Sequence, residues 1–255
     1  MAEHKIATQQ SFQYRLFRFL QEFLYNLGSK VLFKNDKAFG LCLTANSYSP
    51  WREDADFIAL YKQLTNYTLV DEFRCYELWA LLKETRHCPN GAILEVGVWR
   101  GGTGMLLAGQ AQRMNLNVTT YLCDTFEGVV KAGENDNKYV GGEHGDTSEK
   151  LVSDKVNQLQ IKNVKILKGI FPDDTAHLVT EGTFRFCHID VDVYDSAKSV
   201  FEWVWPKMEK NGIIVFDDYG FFGCAGVRKF VNEQRELPGR ITLHNTNGHA
   251  IVIKL

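Results

Sequence analysis

The sequence predicts an α/β fold of seven strands, five alternating with helices and two closing the chain as an antiparallel pair. Three observations predict it. Short apolar, β-rich runs recur at residues 92–96, 118–123, 164–167, 184–189 and 212–216, and read as buried strands of a parallel sheet. Stretches of helical spacing separate them. Two of the runs end abruptly in acids, Asp190 and Asp192 after one, Asp217 and Asp218 after the other. In an open α/β sheet the carboxyl ends of the strands are where ligands bind.

In chain order, residues 1–10 are polar and expected to fray. Residues 13–33 carry Leu16, Phe17, Phe19, Leu20, Phe23, Leu24 and Leu27 on a broad helical stripe. Arg15, Arg18 and Glu22 interrupt it, so it cannot span a bilayer. It can pack on its own domain, pair with a second subunit or lie on a membrane surface; subunit or domain packing is the expectation, and with it a homo-oligomer. Asn46, Ser47, Ser49 and Pro50 mark a loop over 34–50. A short helix is predicted over 54–64 and a longer one over 71–85, with Thr68 or Asp71 as its cap. The domain boundary is placed between residues 65 and 66, separating an N-terminal helical extension from the main domain.

Pro89-Asn90-Gly91 turns into the first strand, which runs on into Glu95-Val96-Gly97-Val98-Trp99-Arg100-Gly101-Gly102-Thr103 and a helix over 103–115. A glycine turn between strand and helix lets a ligand approach the backbone, and the helix start offers free amides. The spacing is neither GxGxxG nor a phosphate-binding loop, and such turns also serve plain strand–helix packing. Asp124 ends the second strand, placed either to accept ribose hydroxyls or to cap its own loop. The polar stretch 129–145, with four glycines, reads as a lid or binding loop. Helical spacing resumes over 148–159, and Gly169-Ile170-Phe171-Pro172 turns out of the third strand. A helix over 196–208 joins the two acid-tipped strands. A helix over 226–233 and strands at 241–243 and 250–253 complete the chain.

Asp190, Asp192, Asp217 and Asp218 cannot all stay ionised at close quarters without compensation. A divalent cation held by oxygen ligands, magnesium above all, is the simplest solution; helix capping or solvent exposure is the alternative for any one of them. A formal charge of −2, from 29 Lys plus Arg against 31 Asp plus Glu, gives no electrostatic case for nucleic-acid binding. The six cysteines include no CxxC pair, so neither a zinc site nor a disulfide framework is indicated, and reduced thiols in the cytoplasm are expected.

Five stretches in this order, LEVGVWRGGTG, CDTFEG, ILKGIFPDDT, HIDVDVYDS and FDDYG, resemble the macrocin O-methyltransferase family, over roughly residues 66–235. The resemblance implies a class I methyltransferase-like, doubly wound sheet and a reaction using S-adenosyl-L-methionine and magnesium on a sugar hydroxyl. It implies that Glu95, Gly97, Arg100, Gly101, Gly102 and Thr103 surround the methionine part of the cofactor. Asp124 would hold the ribose beside Thr125 and Phe126, and Gly169, Ile170 and Phe171 would border the adenine. Asp190, Asp217 and Asp218 match the metal ligands, with Asp190 also near the cofactor; Asp192 matches the general base, and Thr68 and Ser148 match positions near the cofactor. Two positions depart from the family's usual pattern: Val191 replaces a glycine and His188 an arginine, both beside the acceptor site. A catechol-type methyltransferase would share cofactor, metal and fold, while a non-catalytic cofactor-binding protein would be expected to lose acids that this chain keeps.

Overall fold

In a computed structural model the chain is described over residues 12–44 and 48–255. The expected frayed start at residues 1–10 and the turn formers Asn46 and Ser47 fall outside these residues. The chain divides into two compact units, 1–48 and 49–255. The boundary expected at residue 65 therefore moves to 48, because α2 (Ala55–Tyr61) belongs with the sheet. Its Phe57 is fully buried against Trp79, with ring centroids 5.8 Å apart, and Leu60 packs over Gly109. Asp54 caps it, accepting the Phe57 N–H at 3.0 Å.

In the first unit, α1 (Phe12–Leu27) continues into a π-helical turn over Gly28–Leu32. The following segment folds back on it: Tyr25 Oη donates to the Lys37 carbonyl at 2.8 Å and Gln21 Nε2 to the Leu43 carbonyl at 2.5 Å. Phe12, Leu16, Phe19, Leu20 and Phe23 remain exposed. No helix among the described residues is long and apolar enough to cross a membrane.

The second unit is one seven-stranded sheet of order β3-β2-β1-β4-β5-β7-β6. Its strands are β1 (Ala92–Val96), β2 (Thr120–Asp124), β3 (Val164–Lys168), β4 (Phe184–Ile189), β5 (Met208–Phe216), β6 (Arg240–His244) and β7 (Ala250–Lys254). The first five pair in parallel; β7 pairs antiparallel with both β5 and β6. Besides α2, the helices of this unit are α3 (Glu72–Glu84), which precedes β1, then α4 (Gly102–Arg113), α5 (Glu149–Gln158), α6 (Tyr194–Val204) and α7 (Ala225–Gln234). Asp71, not Thr68, caps α3, accepting the Phe73 and Arg74 N–H groups at 2.9 and 3.1 Å. The helix expected over 196–208 starts two residues earlier and stops at Val204, since Met208 already pairs in β5.

Alternation along the strands sorts side chains to two faces. Leu94, Val96, Cys187, Ile189 and Phe216 pack under α6 and α7, whereas Ile93, Phe186 and Val215 pack under α3 and α4. Glu95 and His188 follow the second set and stand opposite each other across the β1–β4 pair. Strand order reverses between β1 and β4, and the chain is tight there. The Asp190 N–H donates to the Val96 carbonyl at 2.9 Å, and a Cβ on Gly97, whose φ is +85°, would overlap the Asp190 carbonyl oxygen. Gly97→Ala is expected to cost more than about 3 kcal/mol, or to prevent folding, in a denaturant titration. A midpoint equal to that of the parent would contradict this packing.

Candidate active site

A cavity of about 280 Å³ opens at the carboxyl ends of β1, β2, β4 and β5, at the point where the strand order reverses. One wall comes from the glycine turn and the second strand: Gly97, Thr103, Asp124 and Thr125, with Gly169, Ile170 and Phe171 beyond them. The opposite wall carries Asp190, Asp192, Asp217 and Asp218. Thr68 closes one side, and Tyr139 and His144 of the 129–145 loop close another.

The four acids are held differently. Asp217, at the end of β5, is nearly fully buried among cations. Arg74 Nη1 of α3 pairs with its Oδ2, His249 Nε2 lies 2.9 Å from its Oδ1, and His188 Nε2 lies 3.4 Å from the same oxygen. Burial alone would raise its pKa, but the two histidines and the arginine hold it far below the usual carboxylate range. The histidines have acids on their other nitrogens as well: His188 Nδ1 is 2.7 Å from Glu95 Oε1, and His249 Nδ1 is 2.6 Å from Glu77 Oε2. Burial works against a charge on His188, yet Asp217 and Glu95 push its pKa up to about 10. His188, Asp217 and His249 also lie close enough to share an ion, but here the two rings and Arg74 already surround the one carboxylate.

Asp190 and Asp218 show the opposite balance. Burial first, then neighbouring carboxylates, raises both well above the usual range. Asp190, Asp217 and Asp218 offer oxygens within 4.8 Å of one another. An all-carboxylate oxygen set suits a hard divalent cation. Asp192 stands beside them at a φ of +64°, and the Val193 N–H donates to the Val191 carbonyl at 2.7 Å, a γ-turn around it. Such strain in a non-glycine residue persists where the surroundings fix it. Here its N–H donates to Asp218 Oδ2 at 2.8 Å, and its carboxylate lies beside Tyr139.

On the facing wall, Asp124 Oδ2 accepts the Val98 and Trp99 N–H groups at 2.6 and 2.8 Å, and Oδ1 accepts the Phe126 N–H at 2.6 Å. The acid thus ties the glycine turn to its own loop, and Oδ1 retains a second lone pair for a hydroxyl donor.

Six residues expected near a cofactor lie off the wall. Glu95 sits on the opposite face of β1, fully buried against His188. Arg100 turns outward onto Asp146, 2.7 Å away, and stacks on Trp99. Gly101 packs against Val152, and the Gly102 N–H donates to the Tyr67 carbonyl at 2.8 Å. Phe126 joins the core beside α4 and α5, and Ser148 caps α5 by accepting the Leu151 N–H. Conversely, Arg74, Glu77, His249 and Tyr139 escaped the sequence reading. Arg74 and Glu77 lie three residues apart on a helix read only for its apolar spacing, and His249 merely precedes a strand.

The family model described as Macrocin-O-methyltransferase (TylF) matches residues 50–245. The chain belongs to this family. Among curated relatives, a demethyldecarbamoylnovobiocin O-methyltransferase of Streptomyces niveus is 28% identical over 157 residues, 57% of this chain and 58% of the relative. An 8-demethyl-8-(2,3-dimethoxy-alpha-L-rhamnosyl)-tetracenomycin-C 4'-O-methyltransferase of Streptomyces olivaceus is 26% identical over 144 residues, 52% of this chain and 55% of the relative. Both matches therefore span little more than half of the relatives' own lengths. Of solved structures, the O-methyltransferase NovP superposes with a TM-score of 0.64 at 22% identity, over 74% of this chain and 82% of NovP. That likeness shows the shared class I methyltransferase fold. The match of the family model begins at residue 50, next to the structural boundary at 48, so the first unit lies outside the shared domain.

Proposed function

We propose that this chain is an S-adenosylmethionine- and magnesium-dependent O-methyltransferase whose acceptor is a hydroxyl of a sugar or glycosylated natural product. The observation that carries the reading is the single cavity that joins the Gly97 turn and Asp124 to the four acids of β4 and β5. The rhamnosyl group in the name of the tetracenomycin relative, and the family itself, support a sugar acceptor.

When bound, S-adenosylmethionine supplies an electrophilic methyl group on a sulfonium. Gly97 would let it approach the backbone, Asp124 Oδ1 would offer an acceptor to a ribose hydroxyl, and Ile170 and Phe171 would border the adenine. Asp190, Asp217 and Asp218 would hold magnesium, which supplies a positive charge that lowers the pKa of a neighbouring hydroxyl. Arg74 and His249 favour the ionised form of Asp217. Asp192 accepts the acceptor's proton, while Tyr139 and the Asp218 contact hold it in place. The cavity walls would bring hydroxyl and methyl donor together. No covalent bond to the protein forms. Six free cysteines support a reducing, cytoplasmic setting.

The cofactor half is tested by calorimetry with S-adenosylhomocysteine. Asp124→Ala is expected to weaken binding at least tenfold, because it removes both the ribose acceptor and three backbone ties. Affinity equal to that of the parent would remove Asp124 from the site. The exposed Phe and Leu side chains of α1 support a subunit contact. Deleting residues 1–48 is then expected to lower the mass measured by light scattering to that of a smaller assembly. An unchanged subunit number would exclude that role.

A further inference from the structure

The 129–145 segment contains neither helix nor strand, yet it is tied down at its base and at its tip. At the base, the Val129 N–H donates to the Glu143 carbonyl at 2.8 Å and the Gly142 N–H to the Val129 carbonyl at 2.9 Å. At the tip, Asp136 Oδ1 accepts the Tyr194 N–H at 3.0 Å. Asn137 Oδ1 accepts the Ala225 N–H at 3.3 Å, and its Nδ2 donates to the Phe222 carbonyl at 3.1 Å. Tyr194 and Ala225 are the first residues of α6 and α7.

Neither helix has a side-chain cap of its own, since their N-cap residues are Val193 and Cys224. Two consecutive loop residues supply the missing caps, satisfying amides that a helix start leaves open. The place is made for them: a Cβ on Gly226 would collide with Asp136 Oδ1. These are the helices that follow the two acid-bearing strands, and Val193 directly follows Asp192. Tyr139, two residues beyond Asn137, lies beside Asp192 on the cavity wall. Val129, Val130 and Tyr139 all line the cavity.

We infer that Asp136 and Asn137 are positioning residues that latch this segment as a lid over the cavity, holding Tyr139 against Asp192 and gating ligand exchange. The inference rests on the cavity being the S-adenosylmethionine site. A latch that closes in the free and the bound protein alike raises the barrier to entry and to escape equally. Loosening it therefore speeds both rates and leaves the equilibrium unchanged.

The test uses the full chain and S-adenosylhomocysteine in stopped-flow binding, with hydrogen exchange of the lid measured in parallel. Asn137→Ala and Asp136→Ala are each expected to raise the association and dissociation rates together by about fivefold, the size of one lost cap, with Kd within twofold. Lid exchange rises by the same factor. Asp136→Asn keeps an oxygen for the Tyr194 N–H and returns both rates toward the parent's. A weaker Kd at an unchanged association rate would overturn the latch, because the residues would then merely shape the wall. Unchanged rates and exchange would overturn it too. If Asp136→Ala fails to fold, Asn137→Ala, at an exposed side chain, carries the test. Absence of any binding by the parent would instead refute the cofactor reading, while lid exchange in the variants would still decide the latch.

Discussion

Asp192→Asn is expected to lower the rate of methyl transfer by roughly 10² to 10⁴, the usual contribution of a general base, while magnesium and cofactor affinities stay within about twofold. The substitution is chosen for its backbone. Asparagine tolerates the φ of +64° that Asp192 adopts, and its N–H can still donate to Asp218 Oδ2. Only the proton-accepting charge is removed. Single-turnover rates with any accepted acceptor, beside calorimetry with S-adenosylhomocysteine, separate the chemical step from binding. Near-parental turnover would show that the proton leaves by another route.

Asp218→Asn is expected to reduce magnesium affinity by more than about 100-fold and to leave S-adenosylhomocysteine binding largely intact. The variant also carries a stability signature. Burial, then Asp192 and Asp190, raises the folded-state pKa of Asp218 above its unfolded value. For an acid shifted upward, the stabilisation present below the unfolded pKa is lost as pH rises through the folded one. At neutral pH this carboxyl therefore costs stability unless a cation compensates it. Without magnesium the variant should melt above the parent; with magnesium the parent's melting temperature should rise and the variant's should not. Equal responses of the two proteins to magnesium would place the cation elsewhere.

Much of the fold is legible in the sequence because parallel strands buried on both faces leave short, uninterrupted apolar runs. The run at 92–96 is β1 itself, and 184–189 is β4. The acids stand out because each breaks such a run. What is not legible is lateral: β7 inserts between β5 and β6, and that pairing brings His249 to Asp217. Arg74 reaches the same carboxylate from 143 positions away in the chain. The family resemblance places Glu95 around the methionine part of the cofactor. The two-residue period of β1 turns it to the far face, opposite His188, whose ring lies between Glu95 and Asp217. The boundary at 48 was missed because α2 is short and its burial depends on Trp79 and Gly109, both distant in sequence.

The central claim is that one cavity holds a methyl donor on one wall and a divalent cation on the other. It is tested most directly by the ¹³C resonance of S-adenosylmethionine labelled at its methyl group, recorded with the protein in magnesium and then in paramagnetic manganese. The account predicts a bound methyl signal that is sharp with magnesium and broadened away with manganese in the parent, but that survives manganese in Asp218→Asn. A bound methyl resonance equally sharp with either metal in the parent would contradict it.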